Sequence, residues 1–147
     1  NFISINNQKT EDHVIKTMSG TLSIDQFILV MNHLPIEITY VDESDKVVYF
    51  NQPSERHFPR TPQVIGREVR YCHPPKSVHI VEKIIDAFKS GRQDQAQFWM
   101  SFKGKKILIT YYAVRNHQNE YKGVLEVTQD ISQLMTLEGE KRLLDWE

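Results

Sequence analysis

The closing third of the chain alternates apolar and polar side chains with a period of two, and that pattern admits little besides a half-buried sheet. Ala96, Phe98, Met100 and Phe102 face one way, between Gln95, Gln97, Trp99 and Ser101. Lys103-Gly104-Lys105 reads as a turn, and Ile107, Ile109, Tyr111 and Ala113 then share one face of a run from Lys106 to Arg115. A loop over 116–120 leads to a third strand, Tyr121 to Thr128. Successive side chains of a strand point to opposite faces, so each run buries one face and presents the other to its surroundings.

A second hairpin lies upstream. Ile36 to Val41 alternates as a half-buried strand, Asp42-Glu43-Ser44-Asp45 turns, and Lys46 to Phe50 returns. Between the hairpins, residues 76–90 form the clearest helix. Pro74 and Pro75 suit its first turn and Gly91 its end. Placing residues about 100° apart puts Val78, Ile80, Val81, Ile84, Ile85, Ala87 and Phe88 on one broad face. Glu82, Lys83, Asp86, Lys89 and His79 lie opposite.

The ends are weaker in pattern. His13-Val14-Ile15-Lys16 permits a short strand, and Asn6 to Lys9 resembles a linker, so 1–20 is taken as a linker or extension. Ser23 and Gln26 have the spacing of a capping box for a helix carrying Phe27, Val30 and Met31 and stopping before Pro35. At the other end, Asp130 or Ser132 is placed to cap an exit helix over 133–147. Leu134, Leu137 and Leu144, with Lys141 between, give that segment a partial coiled-coil seam.

Two hairpins separated by helices describe an α+β fold: a five-stranded antiparallel sheet with helices on one face, an N-terminal helix and a C-terminal exit helix. The 147 residues suit one domain, here 21–132. If the other sheet face is apolar it needs cover, which favours a homodimer.

Bulk composition narrows the function classes. Eighteen basic residues against nineteen acidic ones leave a formal charge of −1, and no global field draws the chain to nucleic acid or an anionic membrane. No apolar run approaches the roughly 18 residues of a membrane span. A lone cysteine excludes an internal disulfide and suits a reducing cytoplasm. A start at Asn1 reads as a segment of a longer protein.

Chemistry-bearing residues gather in Tyr71-Cys72-His73-Pro74-Pro75-Lys76-Ser77-Val78-His79, which holds the single cysteine and two of the six histidines. Upstream, Arg56, Arg60, Arg67 and Arg70 make 51–75 the most basic region, punctuated by prolines. Cys72 can serve as a small packed residue, and His73 as a hydrogen-bonding group beside the helix start. Alternatively Tyr71, His73 and Arg67 or Arg70, with Cys72 beside them, form a ligand-binding set for an anionic group. Cys72, His73 and His79 lack a fourth ligand for zinc or iron. No nucleophile elbow, phosphate loop or paired-histidine zinc helix is present, and no catalytic residue is assigned.

The order of elements, with Val124-Leu125-Glu126-Val127-Thr128-Gln129-Asp130-Ile131-Ser132, resembles a PAS domain. The nearer likeness is to the PAS module of bacterial proteins that pair it with a hemerythrin-like domain and a domain of unknown function. It rests on Asn32-His33-Leu34-Pro35, Thr39-Tyr40-Val41-Asp42, Tyr49-Phe50, Phe58-Pro59-Arg60-Thr61, Ile65-Gly66-Arg67, Cys72-His73-Pro74-Pro75, Ala96-Gln97-Phe98-Trp99 and Gln129-Asp130-Ile131. The resemblance implies a cytoplasmic sensory or regulatory module that binds a small ligand or a partner domain. Its pocket would lie between the sheet and the long helix, and Asp130, Ile131 and Ser132 would carry the output into the exit helix. The alternatives are a homodimerisation module without a ligand and a haem or metal redox sensor beside an upstream hemerythrin-like domain. The cysteine motif of flavin photosensors is absent, since Gly66-Arg67 runs into Glu68-Val69. A haem would need an inward histidine, which His79 is not and His73 can be. The resemblance names no cofactor.

Overall fold

The computed structural model describes residues 13–146. Five strands make one antiparallel sheet: β3 (Glu37–Asp42), β4 (Val47–Phe50), β5 (Gln95–Phe102), β6 (Lys105–Arg115) and β7 (Tyr121–Asp130), in the spatial order β4-β3-β7-β6-β5. The last strand in sequence is therefore the middle strand in space. It is longer than its apolar pattern indicated, because pairing with β6 continues to Asp130 opposite Ile107. The tight β5–β6 hairpin turns on Lys103 and Gly104, whose φ values of 51° and 77° are those of a turn matched to strand twist.

The alternation seen in the sequence sorts the sheet into two faces. On the inner face, three rows cross β3, β7 and β6: Val41, Val124 and Ala113; then Thr39, Glu126 and Tyr111; then Glu37, Thr128 and Ile109. The first row is apolar, and α2 (Pro75–Lys89) covers it. Val81, Ile85 and Phe88 are the buried positions of α2, and Phe88 is only 1% exposed. Ile80, expected in the core face, is exposed, because the covered stripe is narrower than the helix's apolar arc. His79 is exposed as its position on the helix required. Pro75 occupies the first helical position, and Arg115 ties the far end down through a guanidinium N–H to the Phe88 carbonyl at 2.6 Å.

The capping box is formed: Ser23 Oγ accepts from the Gln26 N–H at 3.0 Å, and Gln26 Oε1 accepts from the Ser23 N–H at 2.9 Å. It opens α1 (Ile24–Asn32). Phe27 packs on Tyr49, with ring centroids 5.7 Å apart. Tyr49 pairs with Tyr40, one residue out of step with Thr39 and Val41, so α1 leans on the reverse face of the sheet. Asn51 fastens α1 to the sheet. Its side chain is fully buried, accepts from the Ile38 N–H at 2.7 Å, and donates to the Met31 and Ile36 carbonyls at 2.9 Å each.

Both ends of the chain depart from expectation. The linker reading for Asn6 to Lys9 lies outside the described residues. From within 1–20, β1 (Val14–Thr17) pairs with β2 (Gly20–Ser23), which starts at the end of that stretch, so a hairpin stands where the sequence suggests one short strand. At the other end the exit helix expected over 133–147 is replaced, among the described residues, by one 3-10 turn at Leu134–Thr136. Asp130 Oδ1 accepts from the Ser132 N–H at 2.9 Å, and the Ile131 N–H donates to the Lys106 carbonyl at 2.9 Å. Asp130 and Ile131 thus finish the sheet instead of starting a helix. Beyond them Leu137, Leu143 and Leu144 are exposed, and Gly139 has a φ of 61°. A segment this short has little helical stability without a surface to pack on.

Candidate functional site

Beneath α2 the inner face leaves a small cavity of about 30 Å³. Its walls are aliphatic: Val41, Val47 and Val124 from the sheet, Val81, Ile84 and Ile85 from α2, and Val69 from the 3-10 turn Val69–Cys72. One end is polar, formed by Thr39, Arg60, Glu126, Tyr111 and His73. Four of these, Arg60, His73, Tyr111 and Glu126, together with Cys72, also line an open groove of about 450 Å³ between Phe58-Pro59 and Met100. They are the residues that the apolar chamber and the groove share.

This shared set is organised by an ion pair. The Arg60 Nη2–H donates to Glu126 Oε1 at 2.8 Å, and the two side chains are only 14% and 16% exposed. The Arg60 Nε–H donates to Thr39 Oγ1 at 2.9 Å, which fixes the plane of the guanidinium. Tyr111 stands opposite Glu126 on the neighbouring strand. The reason is legible in the register: Thr39, Glu126 and Tyr111 share a row on the buried face, and a carboxylate there needs a cation and donors. Arg60 supplies the charge from the proline-rich segment.

Burial pushes the Tyr111 phenol above its ordinary range, reinforced by the negative charge of Glu126. Tyr121 is pushed up to about 12, chiefly by burial and then by Asp45. Both phenols hold their protons longer in the folded chain than in the unfolded one. Their contribution is complete below about pH 10, the unfolded tyrosine value, and is lost as pH rises through the folded values. Melting temperature should therefore fall above about pH 10, while absorbance at 295 nm shows these two phenols ionising with unfolding.

The residues assigned from sequence separate into two groups. Cys72 and His73 line both the chamber and the groove. The His73 Nδ1–H donates to the Val69 carbonyl at 3.1 Å, and Cys72 Sγ lies 3.9 Å from the Glu68 carbonyl. Each group is turned to backbone, so they do not form a nucleophile and base. Tyr71, Arg67 and Arg70 do not join them. Tyr71 is 69% exposed, Arg67 is exposed, and Arg70 pairs with Glu68 at 3.2 Å and Glu82 at 3.8 Å on the surface. The tight 3-10 turn alternates its side chains, so neighbours in sequence diverge in space. Arg60 and Glu126 take the place expected of Arg67 and Arg70. The signal for them was a carboxylate at the centre of an otherwise buried strand face, which implies a buried cation elsewhere.

Among the described residues, no group of three or more His, Cys, Asp or Glu side chains could hold a metal ion. Nor does the chamber fit a haem: a space of about 30 Å³ is far too small for the macrocycle. No helix among the described residues is long and apolar enough to cross a membrane.

Asp130 ends the strand that lines the chamber, and Ile131 and Ser132, expected with it to carry the output, follow directly. Glu126 and Asp130 are both in β7, and Ser132 Oγ accepts from the Lys106 N–H at 2.9 Å. Hydrogen bonds from Ser132, first from its side chain and then from its backbone, hold the Asp130 carboxyl below the usual carboxylate range.

A family model described as PAS domain matches residues 28–132. The C-terminal domain of a protein from Streptococcus mutans is 38% identical, with a TM-score of 0.78 over 85% of this chain and 97% of that one. The PAS domain of a protein from Colwellia psychrerythraea is 19% identical, with a TM-score of 0.53 over 75% of this chain and 98% of that one. A sensory box sensor histidine kinase from Vibrio cholerae is 12% identical, with a TM-score of 0.52 over 74% of this chain and 93% of that one. At these last two identities the likeness is one of fold. No curated protein matches the sequence.

Proposed function

Since the chain belongs to the PAS domain family, we propose that it is a non-catalytic sensory module that takes a small ligand between the sheet and α2. The observation carrying this reading is the polar set at the mouth of the aliphatic chamber. Strand β7 contributes Val124 and Glu126 to that chamber and ends at Asp130. A ligand that moves Glu126 acts on the strand that leads directly to Asp130-Ile131-Ser132. The Vibrio cholerae structure of similar fold is described as a sensory box sensor histidine kinase, which accords with this use of the architecture.

A neutral apolar probe tests the chamber itself. Isobutanol should raise the melting temperature of the wild-type chain, with a rise that follows ln(1 + c/Kd), where c is the isobutanol concentration. Cys72→Phe should remove that rise, since its ring fills the space beside the chamber while Cys72 borders the open groove. A rise that survives Cys72→Phe places the binding elsewhere and counts against the reading.

The reverse face of the sheet supports self-association. Trp99 of β5 is 61% exposed there, across from Leu108 of β6, and Tyr112 of β6 is also exposed. Ile28, Leu29 and Val30 of α1 are exposed as well. The partner proposed is a second copy, because an apolar surface of this kind is uncommon on a monomer. Light scattering should give twice the chain mass for the wild type and a monomer for Trp99→Glu with Tyr112→Glu. A wild-type monomer at high concentration contradicts the dimer.

A further inference from the structure

We infer that the ligand of this chamber is a small zwitterion of the α-amino acid type, with a short aliphatic side chain. The inference rests on the sensory reading above and adds the ligand's chemistry. It comes from the charge arrangement at the chamber mouth. Arg60 and Glu126 stand side by side on the boundary between the aliphatic chamber and the groove, largely out of water. A guanidinium has five N–H donors, and Arg60 directs one to Thr39 and one to Glu126. A carboxylate can accept about four hydrogen bonds, and Glu126 takes one from Arg60. Both members retain capacity toward the groove.

A ligand with one charge gains from one member of the pair and is repelled by the other. If it displaces either member, it leaves the remaining charge buried without a partner. A zwitterion avoids both penalties. Its carboxylate lies against Arg60 and its ammonium against Glu126, antiparallel to the existing pair, and every charge has an opposite neighbour. The guanidinium fork is well suited to the carboxylate. Behind the pair the walls are aliphatic and the space is about 30 Å³, enough for a small apolar group. The head group has the groove of about 450 Å³. The combination describes alanine, 2-aminobutyrate or valine better than a fatty acid, an amine or a sugar.

The test compares L-valine with isobutyrate, isobutylamine and isobutanol by calorimetry on the wild-type chain and on the paired variant Arg60→Met with Glu126→Leu. That variant removes both charges together, and its folding is checked by circular dichroism. L-Valine should bind at least tenfold more tightly than either singly charged analogue, and the paired variant should lose that preference. Equal binding by the analogues, or a preference that survives in the paired variant, overturns the zwitterion. Binding of isobutanol without L-valine also overturns it while leaving the sensory chamber standing. Absence of binding by all four probes counts against both.

Discussion

Gly123→Ala should unfold the chain or come close to it, with a loss on the order of 3–5 kcal/mol in urea denaturation. Gly123 lies in the central strand between Asp42 of β3 and Val114 of β6. Its φ of 133° is a region that residues with a Cβ rarely adopt. An added Cβ would come within 2.0 Å of the Val41 carbonyl oxygen and 2.9 Å of the Tyr40 ring. The first contact is with backbone, so relief requires β3 and β7 to separate. They are the strands that carry Val41, Thr39, Val124 and Glu126 to the chamber. Gly66, also at positive φ but with nothing near its missing Cβ, should lose only the conformational part of that amount. Equal, small effects at both glycines would contradict the close-approach argument.

The second large effect concerns the buried pair. Arg60→Met leaves Glu126 charged on the inner face and should cost about 3–5 kcal/mol. Glu126→Leu strands Arg60 and should cost a comparable amount. The paired replacement should be far less damaging than the sum, because no uncompensated charge remains. A double-mutant cycle by denaturation reads this directly. Additive losses would mean that the two side chains do not act as a pair.

These predictions rest on features of unequal visibility in the sequence. The strands were legible because Phe98, Met100, Ile107, Ile109 and Tyr111 alternate without interruption, and only a half-buried strand produces that pattern. The helix α1 was legible from Ser23 and Gln26, whose side chains satisfy one another's backbone donors. The β1–β2 hairpin was not, because its strands have four residues each and its turn contains no familiar pair of turn residues. The exit segment misled for a different reason. Leu134, Leu137 and Leu144 have helical spacing, but spacing has effect only when a surface receives it. The site was half legible. Cys72 and His73 do border the chamber, whereas Arg67 and Arg70, close to them in sequence, lie on the surface. The side chains that meet there, Arg60 and Glu126, are 66 positions apart, and only the strand register brings them together.

Chemical-shift mapping of backbone amides on addition of isobutanol tests the central claim most directly, since it locates a bound probe without presuming the natural ligand. Shifts should be largest at Val41, Val81, Ile84 and Val124, pass through Glu126, and continue along β7 to Asp130 and Ser132. Shifts confined to the reverse face around Trp99 and Tyr112, or chamber shifts that stop before Asp130, would contradict a chamber coupled to the end of the last strand.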